Sequence, residues 1–228
     1  MNEHTDPKND SPLNSREDDQ RNARKIARLL LDIGAVSLRP EEPFVWSSGW
    51  KSPIYCDNRL TMSFPEVRSQ IADMFAEEIR NRHADIEVIA GVATGGIPHA
   101  AWVADRLKLP MVYIRDKAKG HGKQNQIEGL LKPGSKTVVI EDLISTGGSS
   151  LRAARAVQEA GGEVLSVAAI FSYEFEHAQR AFAAENMAYW SLGRYSVLLD
   201  EALKTGHIRP EHLEQLKAWN RAPESYGK

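Results

Sequence analysis

Two adjacent carboxylates, Glu141 and Asp142, end the apolar run Val138 to Ile140, and Ser145-Thr-Gly-Gly-Ser-Ser150 follows almost at once. The run reads as a buried strand, and open α/β sheets bind ligands beyond the carboxyl ends of their strands. The hydroxyls of Ser145, Thr146 and Ser149 and the bare backbone of Gly147 and Gly148 lead into a helix expected from about Ser149. Free N–H groups at a helix start, approached through glycine, form a pocket for an anion. Carboxylates cannot bind a phosphate directly, but they accept hydrogen bonds from sugar hydroxyls beside it. Acids for a diol, with amides and hydroxyls for an anion, describe a ribose phosphate. The plainer alternative is an ordinary strand-turn-helix junction, with Asp as a cap and Gly in the turn. A nucleoside triphosphate P-loop is excluded, because no Gly-Lys-Ser/Thr closes the loop.

Three further stretches could do chemistry. Gly91-Val-Ala-Thr-Gly-Gly-Ile-Pro-His-Ala100 follows another apolar run, and Thr94, Gly95 and Gly96 offer donors to a second anion at a helix start. Taken alone it is also an unremarked glycine turn. Arg115-Asp-Lys-Ala-Lys-Gly-His-Gly122 concentrates cations on a glycine-hinged loop. Such a loop suits a lid that closes as negative charge develops on a leaving group, or else is simply a solvated basic loop. Ser48-Gly-Trp-Lys-Ser-Pro-Ile-Tyr55, continued by Cys56-Asp-Asn-Arg59, is a Pro-punctuated segment near the N-terminus.

These residues need a scaffold. Apolar runs at 87–90, 111–114, 137–140 and 163–171 alternate with helical patterns at 97–107 and 149–160 or with one long loop, which predicts a parallel sheet with crossover helices. Before them, Ile26, Leu29, Leu30 and Ile33 fall at helical spacing and Gly34 follows as a stop. Ser63-Phe-Pro-Glu66 reads as a capping box opening a helix with Val67, Ile71, Met74, Phe75 and Ile79 on one face. One or two brief strands are expected between Pro40 and Arg59. Leu213, Leu216 and Trp219 mark a short amphipathic helix near the end. Residues 1–20 are expected as a disordered tail, 21–62 as an N-terminal helix and hood region, 63–200 as the core with a mobile loop at 115–134, and 201–228 as a helical extension.

Composition narrows the classes. The 228 residues suffice for one well-buried α/β core. Lys and Arg number 29 against 31 for Asp and Glu, so the basic footprint of a nucleic-acid binder is missing. Cys56 stands alone, which excludes an intrachain disulfide and a Cys-based zinc cluster and suits a reducing, cytoplasmic compartment. A charged N-terminus and the lack of a long apolar run predict neither a signal peptide nor a membrane span.

The stretch Val138–Ser150 resembles the phosphoribosyl pyrophosphate motif of the type I phosphoribosyltransferases, and the other three stretches resemble parts of the orotate phosphoribosyltransferases. The resemblance covers most of the chain from about Arg24. It implies the type I phosphoribosyltransferase fold, an α/β fold with a central, mostly parallel sheet flanked by helices and a small N-terminal hood subdomain. It also implies transfer of a phosphoribosyl group to orotate, giving orotidine 5-monophosphate and pyrophosphate in pyrimidine synthesis. Glu141 and Asp142 would hold the ribose hydroxyls, and Ser145, Thr146, Gly147, Gly148 and Ser149 the 5-phosphate. Thr94 and Gly95 would face pyrophosphate, joined by Lys51, Arg115, Lys119 and His121. Lys119, His121, Arg115 and Asp142 would be the catalytic set, and Lys51, Tyr55, Arg59 and Thr146 would surround orotate. Arg59 stands in for an Arg that some members carry after the last core strand, where this chain has Phe171-Ser-Tyr-Glu. Many members carry Lys where this chain has Asp116. Magnesium is the implied cofactor, bound mainly through substrate oxygens with no protein ligand assigned. The implied partner is a second copy of the chain, in a homodimer whose loops reach across into shared active sites. A phosphoribosyl pyrophosphate-binding regulator without activity, or a purine phosphoribosyltransferase, are the competing implications.

Overall fold

Strands buried on both faces read as near-continuous apolar runs, and the computed structural model pairs four of them side by side. The structure describes residues 12–45, 49, 51–116 and 126–226, with the backbone alone for 12–18. The core strands are β5 (Val88–Val92), β6 (Met111–Ile114), β8 (Lys136–Ile144) and β9 (Glu163–Ser172), joined by β7 (Ile127–Glu128) and β10 (Tyr189–Arg194) in a six-stranded sheet. Its order is β10-β9-β8-β5-β6-β7, parallel except for β7, which runs antiparallel to β6.

Alternate residues of these strands feed two cores. Ile89, Val138, Ile140, Ala168 and Ile170 face one side, under helices α1 (Pro12–Asp32), α2 (Pro65–Arg82) and α3 (Gly96–Leu107). Val88, Ala90, Val139, Val167 and Ala169 face the other, under α4 (Gly148–Glu159) and α5 (Glu176–Ala184). Helices on both faces of a parallel sheet are what its crossovers require. The long apolar runs therefore foretell the sheet well, whereas β10 and α5 lay outside the expectation.

The hood consists of two small antiparallel pairs. In one, β1 (Val36–Leu38) pairs with β4 (Ile54–Cys56); in the other, β2 (Phe44–Val45) pairs with β3 (Lys51–Ser52). A 3-10 helix, Asn58–Ser63, then leads to α2. Strands this short cannot stand alone. After α6 (Tyr195–Lys204) the chain returns to them, and they lean on helix α7 (Leu213–Arg221) and the residues just before it. Gln215 donates to the Pro40 carbonyl at 2.9 Å, Arg209 and His212 reach Glu41, and Trp219 is buried against Tyr173 and Phe175.

Three boundaries differ from expectation. Helix α1 begins at Pro12 rather than Arg21, so the tail expected to be disordered through residue 20 is helical from Pro12 onward. Pro suits a first helical turn, and Asp19 is fastened to Arg194 of β10 at 2.6 Å. The capping box at Ser63 does not form: Ser63 belongs to the 3-10 helix, Phe64 is the N-cap without a side-chain hydrogen bond, and Pro65 opens α2. The boundary placed at residue 200 falls inside α6, whose Leu198 and Ala202 are both in the core. No helix among the described residues is long and apolar enough to cross a membrane.

Candidate active site

The chain runs from β5 to β6 on one side and returns to β8 on the other, so the strand order reverses between β5 and β8. Such a switch point opens a crevice beyond the strand ends, the usual ligand site of an open α/β sheet. Both glycine-rich turns lie there. Residues 93–95 follow β5 and open α3, and 145–147 follow β8 and open α4. Neither Gly95 nor Gly147, the two N-caps, supplies a side-chain cap, so the first-turn amides of both helices remain for an anion.

Glycine is required here for two separate reasons. Gly147 has φ +82°, a left-handed conformation, and a Cβ would also meet Phe182 at 2.9 Å. Gly95 has ordinary helical angles, but a Cβ would stand 2.8 Å from Oδ1 of Asp142 and nearer still to its Cγ and Oδ2. The Asp142 carboxylate thus lies directly against the Thr94–Gly96 turn, whose Ala93–Thr94 peptide bond is cis. Sequence spacing brings Asp142 near Ser145; only the sheet brings it to Gly95.

The paired acids are not equivalent. Glu141 is buried, accepts from Ser150 Oγ at 3.4 Å and takes the Asp142 amide on Oε1 at 3.2 Å. Burial, and next the adjacent Asp142 charge, push its carboxyl well above the usual range. Asp142 is partly exposed toward the crevice. Thr146 and Ser149 are exposed, Ser145 and Gly148 half-buried and Gly147 buried.

Beside α4 a narrow cleft is lined by Val92, Arg115, Asp116, Gln126, Ser149 and Arg152. Arg115 stands 3.5 Å from Glu128 of β7, and its Nη1 is buried with no hydrogen-bond partner among the described residues. Arg152, which sequence reasoning passed over, sits one turn after Gly148 and carries its guanidinium back over that turn, where a Gly148 Cβ would be 3.5 Å from Nη1. Its position three residues after Ser149 was the available signal, since residues three or four apart share a helix face. Lys119 and His121 lie outside the described residues, as do Ser48 and Trp50 of the hood motif.

On the hood side, Tyr55 is 44% exposed and its ring lies 5.6 Å from Phe44, while Lys51 is exposed on β3. Arg59 is gripped by Asp57, Nε to Oδ1 at 2.7 Å and Nη2 to Oδ2 at 2.9 Å. That pair raises Arg59 above its ordinary value, and the charge of Asp142 adds to it more weakly. The bidentate edge of Arg59 expected to meet a ligand is therefore shared: Asp57 holds the Nε side, and the Nη1 side is not part of that pair.

A cation site made by protein alone is not found among the described residues, where no three His, Cys, Asp or Glu side chains converge. The crevice would leave a magnesium ion to take most of its ligands from substrate oxygens and water.

Residues 64–192, more than half of the chain, match the family model described as "Phosphoribosyl transferase domain". A relative from Enterococcus faecalis named orotate phosphoribosyltransferase is 57% identical over 206 residues, spanning 90% of this chain and 98% of its own. The orotate phosphoribosyltransferase of Bacillus subtilis is 56% identical over 200 residues, spanning 88% and 93%. The crystal structure of orotate phosphoribosyltransferase from Aeropyrum pernix superposes with a TM-score of 0.70 at 32% identity, covering 81% of this chain and 99% of that one. With the type I fold, the switch-point crevice and this degree of likeness together, the chain belongs to the orotate phosphoribosyltransferases, a family of pentosyl-transferring enzymes of pyrimidine synthesis.

Proposed function

We propose that the chain transfers the 5-phosphoribosyl group of phosphoribosyl pyrophosphate to N1 of orotate. A C1–N1 bond forms as the C1–oxygen bond breaks, pyrophosphate departs with that bond's electron pair, and the proton that N1 carried is lost to water. The observation that supports the reading is the contact of the Asp142 carboxylate with the Gly95 turn at the start of α3, just before the turn that opens α4.

Each residue then has a task. The α4 turn, with Ser145, Thr146 and Ser149, anchors the 5-phosphate. Asp142 and Glu141 accept from the ribose hydroxyls, Glu141 from a buried position where desolvation and the Asp142 charge hold its carboxyl well above the usual range. Anchoring both ends of the sugar leaves C1 over the crevice mouth, where charge develops as pyrophosphate leaves. The Thr94–Gly96 amides, with Arg115 and Arg152 of the cleft beside α4, stabilise that leaving charge. Magnesium, when bound, would neutralise diphosphate oxygens beside these residues. Arg59, oriented by Asp57, turns its other edge to the carboxylate that distinguishes orotate from uracil. The same proposal includes a cytoplasmic homodimer in which Lys119 and His121 serve the partner's site, supported by the resemblance of that loop.

The test offers phosphoribosyl pyrophosphate and magnesium with orotate, uracil or hypoxanthine in parallel. Pyrophosphate release with orotate alone is expected. Faster release with hypoxanthine would overturn the base assignment, and no release with any base would overturn the reaction.

A further inference from the structure

The 3-10 helix after the hood buries polar side chains at a place where apolar ones would be simpler to accommodate. Asn58 is 1% exposed, Thr61 0% and His99 of α3 1%. They form one network. Asn58 Nδ2 donates to the main-chain oxygen of Asp142 at 2.7 Å, and Asn58 Oδ1 accepts from Cys56 Sγ at 3.3 Å. Thr61 Oγ1 donates to the Asn58 carbonyl at 2.5 Å and lies 3.2 Å from His99 Nε2. A hydroxyl has one hydrogen, so Thr61 can only accept from His99, and Nε2 must carry the ring proton. Burial lowers His99 to about 4, so the ring is neutral, and Nδ1 has no partner among the described residues.

The ladder explains why Asp142 needs Asn58. Pairing between β5 and β8 stops at Gly91 and Ile140, while β8 continues to Ile144 against β9 alone. Among the described residues no strand pairs with the β5 side of β8 beyond Ile140, and a part-buried carbonyl there needs a donor. Asn58 supplies from the hood the hydrogen bond that a neighbouring strand would have given. Asp142 is then fixed on two sides, its carboxylate against Gly95 and its main chain by Asn58.

We infer that Asn58 is a positioning residue for the ribose step: it acts through the main chain of Asp142, without touching substrate, and makes the hood part of the sugar site. This rests on the reading of Asp142 as the diol carboxylate. Three variants separate positioning from a merely structural role. Asn58→Asp keeps the size but removes the donor, and should lower kcat/KM for phosphoribosyl pyrophosphate by about tenfold or more. Its affinity for inorganic pyrophosphate, which has no ribose, should change by less than about twofold, the level of a contact that was not disturbed. Asn58→Ser, which leaves a hydroxyl and room for a bridging water, should recover part of the loss. Thr61→Val breaks the same buried network but leaves Asn58 bonded to Asp142, so it should lower the melting temperature without the loss in kcat/KM. In an Asp142→Asn background, replacing Asn58 should add little, because coupled residues are not additive.

Outcomes sort cleanly. Wild-type protein that forms no product from orotate overturns the reading of the site. Active wild-type protein with unaffected Asn58 variants overturns only this inference, as do equal losses for pyrophosphate, full additivity with Asp142→Asn, or a Thr61→Val variant that matches Asn58→Asp. Should Asn58→Asp fail to fold, Asn58→Ser measured against Thr61→Val decides the matter.

Discussion

Replacing Gly95 by Ala tests the geometry on which the site depends. The backbone at Gly95 is helical, φ −68° and ψ −30°, so alanine meets no conformational penalty and the whole effect comes from contact. The new methyl would stand 2.8 Å from Asp142 Oδ1 and closer to its Cγ and Oδ2. A carboxylate can swing aside, for about 0.5–1.5 kcal/mol of rotamer strain, so the fold survives. What is lost is the charged hydrogen bond to the ribose, about 1.5–3 kcal/mol, which corresponds to roughly a 10- to 150-fold fall in kcat/KM for phosphoribosyl pyrophosphate. Gly96→Ala is the control. Its methyl would stand 3.2 Å from the Ile140 carbonyl carbon and 3.3 Å from Glu141 Cα, with the Ile140 oxygen nearer still, and central-strand backbone cannot swing aside. That substitution should cost about 1–3 kcal/mol in stability, or several degrees in melting temperature. Steady-state kinetics and thermal melts on both variants are the assay. A Gly95→Ala protein with kcat/KM within threefold of wild type, or one as unstable as Gly96→Ala, would refute the placement of Asp142.

Other perturbations reach the remaining parts. Glu141→Gln with Asp142→Asn should remove most activity and leave the melt unchanged or improved, since Glu141 is buried and pushed up; near-normal turnover would sink the diol assignment. Arg59→Lys keeps charge but loses the planar fork, so orotate affinity should fall about tenfold to a hundredfold while phosphoribosyl pyrophosphate binds as before; isothermal titration with each ligand decides. Mixing Lys119→Ala protein with the Glu141/Asp142 double variant should regenerate activity if the loop serves the partner, and exchange of subunits without recovery would return the loop to its own chain. Glu201 is fully buried between Lys204 at 2.8 Å and Arg28 at 2.7 Å, which hold it below the usual carboxylate range. Its contribution, about 1–2 kcal/mol given its half-exposed partners, is present at neutral pH and fades as pH falls below 4.5. The gap in melting temperature between wild type and Glu201→Gln should close over that range, and a gap that stays constant would refute it.

The sequence showed the central strands because residues such as Val138–Ile140 are buried on both faces and leave an unbroken apolar run. Strand β10 escaped notice because Tyr189-Trp-Ser-Leu-Gly-Arg194 is an edge strand of mixed polarity, whose Gly193 serves to let Ile26 of α1 come close. Two-residue β7 carries no periodicity at all. The same contrast holds at the site. Glu141, Asp142 and the Ser145–Ser149 turn are contiguous and could be read together. Asn58 binds a carbonyl 84 positions away, and nothing local marks a side chain chosen for a distant backbone atom. The apparent capping box at Ser63 failed for a related reason: the preceding residues were committed to a 3-10 turn by buried Asn58 and Thr61.

The grip of the last helices on Pro40 and Glu41 sets the order in which the molecule comes apart. Proteins open in cooperative units of unequal stability, and short strands held by side-chain contacts belong to the low end of that range. The hood is tied to α7 by single hydrogen bonds such as Gln215 to Pro40, whereas β8 and β9 share a continuous ladder. Amide protons of the hood and of α7 should therefore exchange together, well before those of the central sheet. The base-reading end of the enzyme would then melt as one unit with a helix more than 150 positions further along the chain, while the phosphate-binding turns remained folded.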